Sequence, residues 1–226
     1  MRVDVITIFP QVLGPYLDES LLRRARERGL LDVAVHNLRD FVDDKHKTVD
    51  DAPYGGGPGM VMKAEPIVKA VDAIASEIGD RESGRKTKVI LFSPGGVQFD
   101  ARMARRFAKL QHIILICGRY EGVDERVKKI LRAQEISIGP YVLTGGELPA
   151  MVFADAVARH IPGVLGKHES LEERRYGVGV PVYTRPEIFT WGGRGYRVPK
   201  VLLSGDHRKI EGWRNAHSKP QAPSSE

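Results

Sequence analysis

At 226 residues, with 42% hydrophobic side chains, the chain suits one medium domain, or one domain with a small appendage, built on a packed core. Its 35 Lys and Arg outnumber 29 Asp and Glu, and a net charge of +6 with a pI near 9.4 suggests an acidic partner, nucleic acid being the commonest. The lone Cys117 excludes an internal disulfide framework and a cysteine-rich zinc site, and no apolar run is long enough to span a membrane.

The N-terminal MRVDVITIFP is rich in β-branched and apolar residues and ends at Pro10, so it reads as a strand and not a signal peptide. A cytoplasmic protein is expected. Leu13, Leu17, Leu21 or Leu22, and Ala25 then recur on one helical face, and Gly29 is a stop. Residues 31–35 form a second strand candidate, and strand–helix–strand implies a parallel α/β sheet. Residues 38–60 make a long connection that mixes Arg39, Asp40, Lys45, His46 and Lys47 with the run YGGGPGM. A loop of this length is either functional or disordered.

Residues 64–78 read as a helix with Pro66 in its first turn. A strand at 89–92 ends in Ser93-Pro94-Gly95-Gly96, and a helix over 100–110 follows, with Arg102, Arg105, Arg106 and Lys109 as a solvated face. The apolar run 113–116 reads as a buried strand that opens into CGRYEG. A short helix, the piece EISIG, a second glycine-bearing loop over 139–146 and a helix over 147–160 complete the pattern. From Gly166 the composition turns charged, then rich in Arg, Gly, Pro and aromatics, and the tail SKPQAPSSE should be disordered. The expected division is 1–165 for the main domain, 166–180 for a linker and 181–226 for a small C-terminal domain.

Gly55–Gly59 is no phosphate loop, because Lys63 is followed by Ala64 and not by Ser or Thr. The seven histidines lack metal-ligand spacing, so no metal site is expected. Three glycine-bearing loops, 93–96, 118–122 and 139–146, follow apolar strands. One such loop would merely close a turn, but three at strand ends favour a ligand, because open α/β sheets bind there.

GRYEGVDERV, EISIG, YVLTGGELPAM, IPGVL and YTRPE, with TVDDAPYGGGPGM and LLSGDH, cover nearly the whole chain in order. In these pieces the sequence resembles the TrmD family, the bacterial tRNA (guanine-N1)-methyltransferases of the knotted SPOUT class. The resemblance implies a Rossmann-like parallel α/β SPOUT domain with a deep trefoil knot, plus a small, mainly helical C-terminal domain that binds tRNA. It implies S-adenosylmethionine as methyl donor. Main-chain groups of Ile138, Gly139, Tyr141 and Leu143, with Val142 between, would meet the adenine. Ser93, Pro94, Gly118, Tyr120, Glu121, Gly145 and Gly146 would line the pocket. Pro140 stands where relatives often have Asp, and it has no amide hydrogen to donate.

The implied reaction is methylation of N1 of guanosine 37. That nitrogen carries a proton at neutral pH, so a base must remove it while a cation steadies charge on O6. Arg159, in DAVARHIPG, matches the catalytic arginine. Glu173 is the expected base and Glu172 the second choice, in a linker where a gapless match places Arg174. The family works as a homodimer with a composite site, and magnesium is said to help, with no ligands assignable here. Arg39, Lys45, His46, Lys47, Arg185, Arg194, Arg197, Lys200, Arg208 and Arg214 are candidate phosphate contacts, while Trp191 and Tyr196 would either stack on bases or form a small core. The alternatives are another SPOUT methyltransferase, acting on an rRNA base or a ribose 2′-hydroxyl, and a non-catalytic RNA-binding module.

Overall fold

The computed structural model describes residues 1–79, 87–166 and 179–218. The chain divides into two compact units, Met1–Leu165 and Gly166–Glu226. In the first, strands Arg2–Thr7 (β1), Asp32–Asn37 (β2), Lys88–Gln98 (β5), His112–Ile116 (β6) and Gln134–Ser137 (β7) form a parallel sheet in the order β2-β1-β6-β5-β7. Two short strands, Asp50–Asp51 (β3) and Val61–Met62 (β4), pair antiparallel apart from it. The helices are Gly14–Leu17 (α1), Ser20–Glu27 (α2), Ala64–Glu77 (α3), Ala101–Phe107 (α4), Glu125–Leu131 (α5) and Glu147–Ala158 (α6).

The central strands are apolar on both faces because helices cover both. Val3 and Val5 of β1 and Ile113 and Leu115 of β6 pack with Leu22, Phe107 and Phe153 of α2, α4 and α6. The alternate residues Ile6, Ile114 and Ile116 pack with Ile67 and Ile74 of α3 and Val127 of α5. Period-two alternation thus divides one strand between two cores. Phe153 anchors the first, with the rings of Phe99 and Phe107 each 5.1 Å from its own and Phe92 at 6.0 Å.

Local chemistry sets the ends. Asp100 caps α4 by accepting from the Met103 amide at 2.7 Å, and Asp124 caps α5 through the Arg126 amide at 2.9 Å. Gly79, at φ 69°, lies just past α3, where a left-handed residue ends a helix.

Two sequence expectations need correction in this unit. The single helix expected after β1 is a short turn at Pro10–Val12 followed by α1 and α2, with Ser20 at φ 48° where α2 begins. The apolar spacing runs through this break, so periodicity alone could not show it. Next, the segment 93–96 does not end a strand. It is an irregularity inside β5, which pairs with β7 at Phe92 and again at Val97 and Gln98. The connection 38–60, for which the sequence left a functional and a disordered loop open, is braced by local hydrogen bonds: Asn37 accepts from the Arg39 amide, and Asp44 accepts from the amides of His46 and Thr48 and from the Thr48 hydroxyl.

The described part of the second unit contains the hairpin Ile188–Trp191 (β8) and Arg194–Arg197 (β9), then helices Lys200–Leu203 (α7) and His207–His217 (α8). Helices were expected here; the hairpin was not. Gly192 and Gly193 connect its strands at φ 55° and 73°, the left-handed pair that a two-residue hairpin turn needs.

Candidate active site

Because β6, β5 and β7 are parallel neighbours, the segments beyond their C-terminal ends share one edge of the sheet. Residues 93–94, 118–125 and 135–146 wall a cleft of about 380 Å³ there, within the range of small-molecule sites. Glycines at 118, 122, 139, 145 and 146 are among its lining residues. At Gly139 an added Cβ would lie 2.2 Å from the Tyr141 ring, and at Gly145 it would lie 2.2 Å from Arg119 Nε. At both positions the side chains of Tyr141 and Arg119 occupy the space a Cβ would fill, and neither glycine has a positive φ.

The loop after β6 carries a strained residue. Tyr120 has φ 60°, a left-handed conformation that an aromatic side chain adopts at a cost of about 1–3 kcal/mol. Contacts on either side hold it there. The Arg119 amide meets Met62 Sδ at 3.1 Å, and the Glu121 amide donates to the Met60 carbonyl at 3.0 Å. The Met62 amide donates to Gly122, and the Met62 carbonyl accepts from Asp124. The end of the long 38–60 connection is thus bonded directly to the cleft loop.

The cleft is polar at its rim. Lys128 lies 2.8 Å from both Glu125 and Glu135, which raise its pKa, Glu125 first. Asp124 is lowered to about 2 by hydrogen bonds from Arg126. Behind the cleft, buried Glu147 accepts from the Thr7 hydroxyl at 2.6 Å and lies 2.8 Å from the Arg119 guanidinium. Burial first, and then the Glu147 charge, push the adjacent Cys117 thiol well up, so this cysteine is an inert buried thiol.

Of the residues expected to line a cofactor pocket, Ser93, Pro94, Gly118, Tyr120, Glu121, Ile138, Gly139, Tyr141, Val142, Leu143, Gly145 and Gly146 all face this one cleft, and Pro140 does not. The Tyr141 amide, expected to be turned to a ligand, donates to the Gly139 carbonyl at 2.9 Å, and its hydroxyl donates to the Ile138 carbonyl at 3.2 Å. Arg119, Thr144, Lys128 and Glu135 also line the cleft and were missed. Of these, Arg119, Glu135 and Thr144 had a visible cue, their places inside GRYEG, EISIG and YVLTGG, and Lys128 had none. Arg159 caps the C-terminal end of α6, roughly 18 Å along the helix from its start at the cleft. Glu172 and Glu173 lie outside the described residues. Among the described residues, no group of three His, Cys, Asp or Glu could hold a metal ion, and no helix is long and apolar enough to cross a membrane.

The expected phosphate contacts separate into two kinds. Lys47 turns its ammonium back onto the Val42 carbonyl, and Arg39 donates to the Lys47 carbonyl at 3.0 Å, so both brace the loop. Lys45 and His46 are exposed. In the second unit every residue of the hairpin is exposed, Trp191 at 72% and Tyr196 at 51%, which removes the small-core reading for these two aromatics.

A family model described as tRNA (Guanine-1)-methyltransferase TrmD matches residues 1–224. The tRNA (guanine-N(1)-)-methyltransferase of Dictyoglomus turgidum is 52% identical over 217 residues, 95% of this chain and 83% of that protein. Its counterpart in Thermomicrobium roseum is 52% identical over the same share of this chain and 77% of its own. That of Geobacter metallireducens is 50% identical, covering 95% of this chain and 84% of its own.

Proposed function

Since the chain belongs to the tRNA (guanine-1)-methyltransferase TrmD family, we propose that its cleft at the ends of β5, β6 and β7 holds S-adenosylmethionine for methyl transfer to N1 of guanosine 37 in tRNA. The chain is a tRNA (guanine-N1)-methyltransferase, working in the cytoplasm where its substrate is found. One observation carries the assignment of the site: three loops far apart in sequence converge on a single glycine-walled cleft. S-adenosylmethionine, when bound, supplies a methyl group on a positively charged sulfur. Main-chain groups around Ile138 and Leu143 would hold its adenine, and Glu121 at the rim suits its cationic or ribose portion.

The chain's own residues must handle the proton. Glu173 accepts it from N1, with Glu172 as the second choice, and Arg159 steadies the charge that grows on O6. Arg159 sits at the opposite end of α6 from the cleft, which supports a site completed by a second subunit. The outer face of α6 offers a seat for that subunit. Leu148 and Val152 are about half exposed, and Phe9, Val12 and Tyr16 extend the apolar strip, with Phe9 under Arg119 and the Tyr16 hydroxyl on Asp155. We also propose that β7 and the crossing at 139–146 close a trefoil knot. The tight packing of Gly146 on the 117–118 backbone supports this threading.

Residues 181–218 would grip tRNA, with Trp191 and Tyr196 stacking on loop bases and Arg194 and Arg197 meeting phosphates. Calorimetry with S-adenosylmethionine and a methyl-transfer assay on tRNA transcripts carrying guanosine or adenosine at position 37 test the proposal. Tight donor binding and transfer only to guanosine 37 are expected. Equal transfer to both transcripts would favour a ribose-directed enzyme, and absence of donor binding would leave an RNA-binding module.

A further inference from the structure

Arg119 lines the cleft and pairs with Glu147, which lies buried behind it. Yet a buried ion pair carries a desolvation cost, so its presence calls for a reason. Glu147 is 1% exposed, and its Oε2 lies 2.8 Å from an Arg119 terminal nitrogen. The contact is close but poorly aligned, and both Glu147 Oε2 and Arg119 Nε lack a hydrogen-bond partner among the described residues. The other Arg119 terminal nitrogen donates to the Thr144 carbonyl at 3.2 Å. The guanidinium also covers the Phe9 ring at 4.6 Å and packs close to Gly145, where an added Cβ would lie 2.2 Å from its Nε. Glu147 is held in turn by the Thr7 hydroxyl at the end of β1.

From this we infer that Arg119 is a positioning residue that clamps the 143–146 segment against the 118–122 loop and so sets the width of the methyl-donor cleft. The inference rests on the reading of the cleft as the S-adenosylmethionine site. One nitrogen is drawn to the buried carboxylate by charge at 2.8 Å, and the other donates to a main-chain carbonyl of the opposite wall. The planar fork of arginine reaches both at once, whereas the compact ammonium of lysine reaches one. The wall carrying Thr144 is the wall that presents Leu143 to the cleft. Anchoring on Glu147 also holds the residue next to Tyr120 in place, and Tyr120 needs such restraint to keep its left-handed backbone.

The test is calorimetric titration of S-adenosylmethionine into wild type, Arg119→Lys, Arg119→Met and the double variant Arg119→Met with Glu147→Gln, each with its melting temperature and steady-state kinetics. Arg119→Met strands a buried carboxylate and should lose both stability and donor affinity. The double variant removes both charges, keeps bulk over Gly145 and keeps an acceptor for Thr7. It should regain stability, while its donor Kd stays about tenfold or more above wild type, the loss of one charge-assisted hydrogen bond. KM for tRNA should not move. A pair that served stability alone would recover donor affinity together with melting temperature, and that result overturns the inference. Should the double variant not fold, Arg119→Lys decides: it keeps the pair, and donor affinity equal to wild type in it overturns the inference equally. Failure of the wild-type protein to bind the donor would instead overturn the reading of the cleft.

Discussion

Gly146 donates its amide hydrogen to the Gly118 carbonyl at 2.9 Å, and a methyl group on its Cα would lie 2.6 Å from Cys117 Cα and 2.9 Å from the Gly118 nitrogen. Its backbone angle, φ −83°, is ordinary, so the constraint is purely one of space. What it would strike is main chain, which cannot rotate away as a side chain can. Gly146→Ala should therefore lower stability by about 1–3 kcal/mol, the range for overpacking a filled interior. Thermal unfolding checks this, and donor binding should weaken in parallel because both contacted residues belong to the cleft loop. A variant as stable as wild type would show that the two segments are not pressed together as described.

Asp4 gives the fold a specific acid limit. It is fully buried in β1 on the α3 face, accepting from His112 at 2.7 Å, from His36 at 2.6 Å and from both Arg2 contacts at 2.9 Å. Burial alone would raise its pKa. The hydrogen bonds from His112, His36 and Arg2 outweigh burial and hold the carboxyl well below the usual carboxylate range. With the folded value depressed, the stabilisation is complete above the unfolded value of about 3.9 and is lost as pH falls from there toward the folded value. Asp4→Asn should cost about 3–5 kcal/mol at neutral pH and should flatten the acid limb of the stability–pH curve. Urea unfolding at several pH values measures both effects.

Lys45 and Lys47, two residues apart, should behave differently. Both are exposed, but the Lys47 ammonium is committed to the Val42 carbonyl. Lys45→Ala should weaken tRNA binding and reduce the slope of log affinity against log salt by about one. Lys47→Ala should instead loosen the loop, with a smaller change in salt slope. Filter binding across a salt series distinguishes them, and identical slopes for the two variants would contradict the assignment.

Glu173→Gln should reduce turnover by about 10²–10⁴-fold while leaving S-adenosylmethionine affinity unchanged, because a base acts on the proton and not on the donor. Single-turnover methyl transfer beside calorimetry provides the check. Full activity in Glu173→Gln with loss in Glu172→Gln would move the role by one residue.

Strands buried on both faces were legible in the sequence, since runs such as Ile113–Ile116 have no other use for so many β-branched residues. The three glycine loops were legible as a group because each followed such a run. Ser20 was not, as its left-handed turn interrupts a helical repeat that continues unchanged on either side. Nor was the return of β5 to β7 after Gly96. Pro94, Gly95 and Gly96 look like a stop, and only the packing of Gly96, whose added Cβ would lie 2.6 Å from the Ile136 amide, explains why glycine is there. Arg119 and Glu147 are 28 positions apart and their pairing follows from the crossing of two loops, which no local pattern encodes. The Gly192-Gly193 turn was readable in principle, being a standard hairpin signal between strand-like flanks.

Met60 and Met62 give their main-chain groups directly to Glu121, Gly122 and Asp124. Tyr54 and the glycines beside it, fully exposed, depend from the same stretch of backbone. Any displacement of the loop that carries Tyr120 is therefore passed to the stretch that carries Tyr54 through main-chain hydrogen bonds.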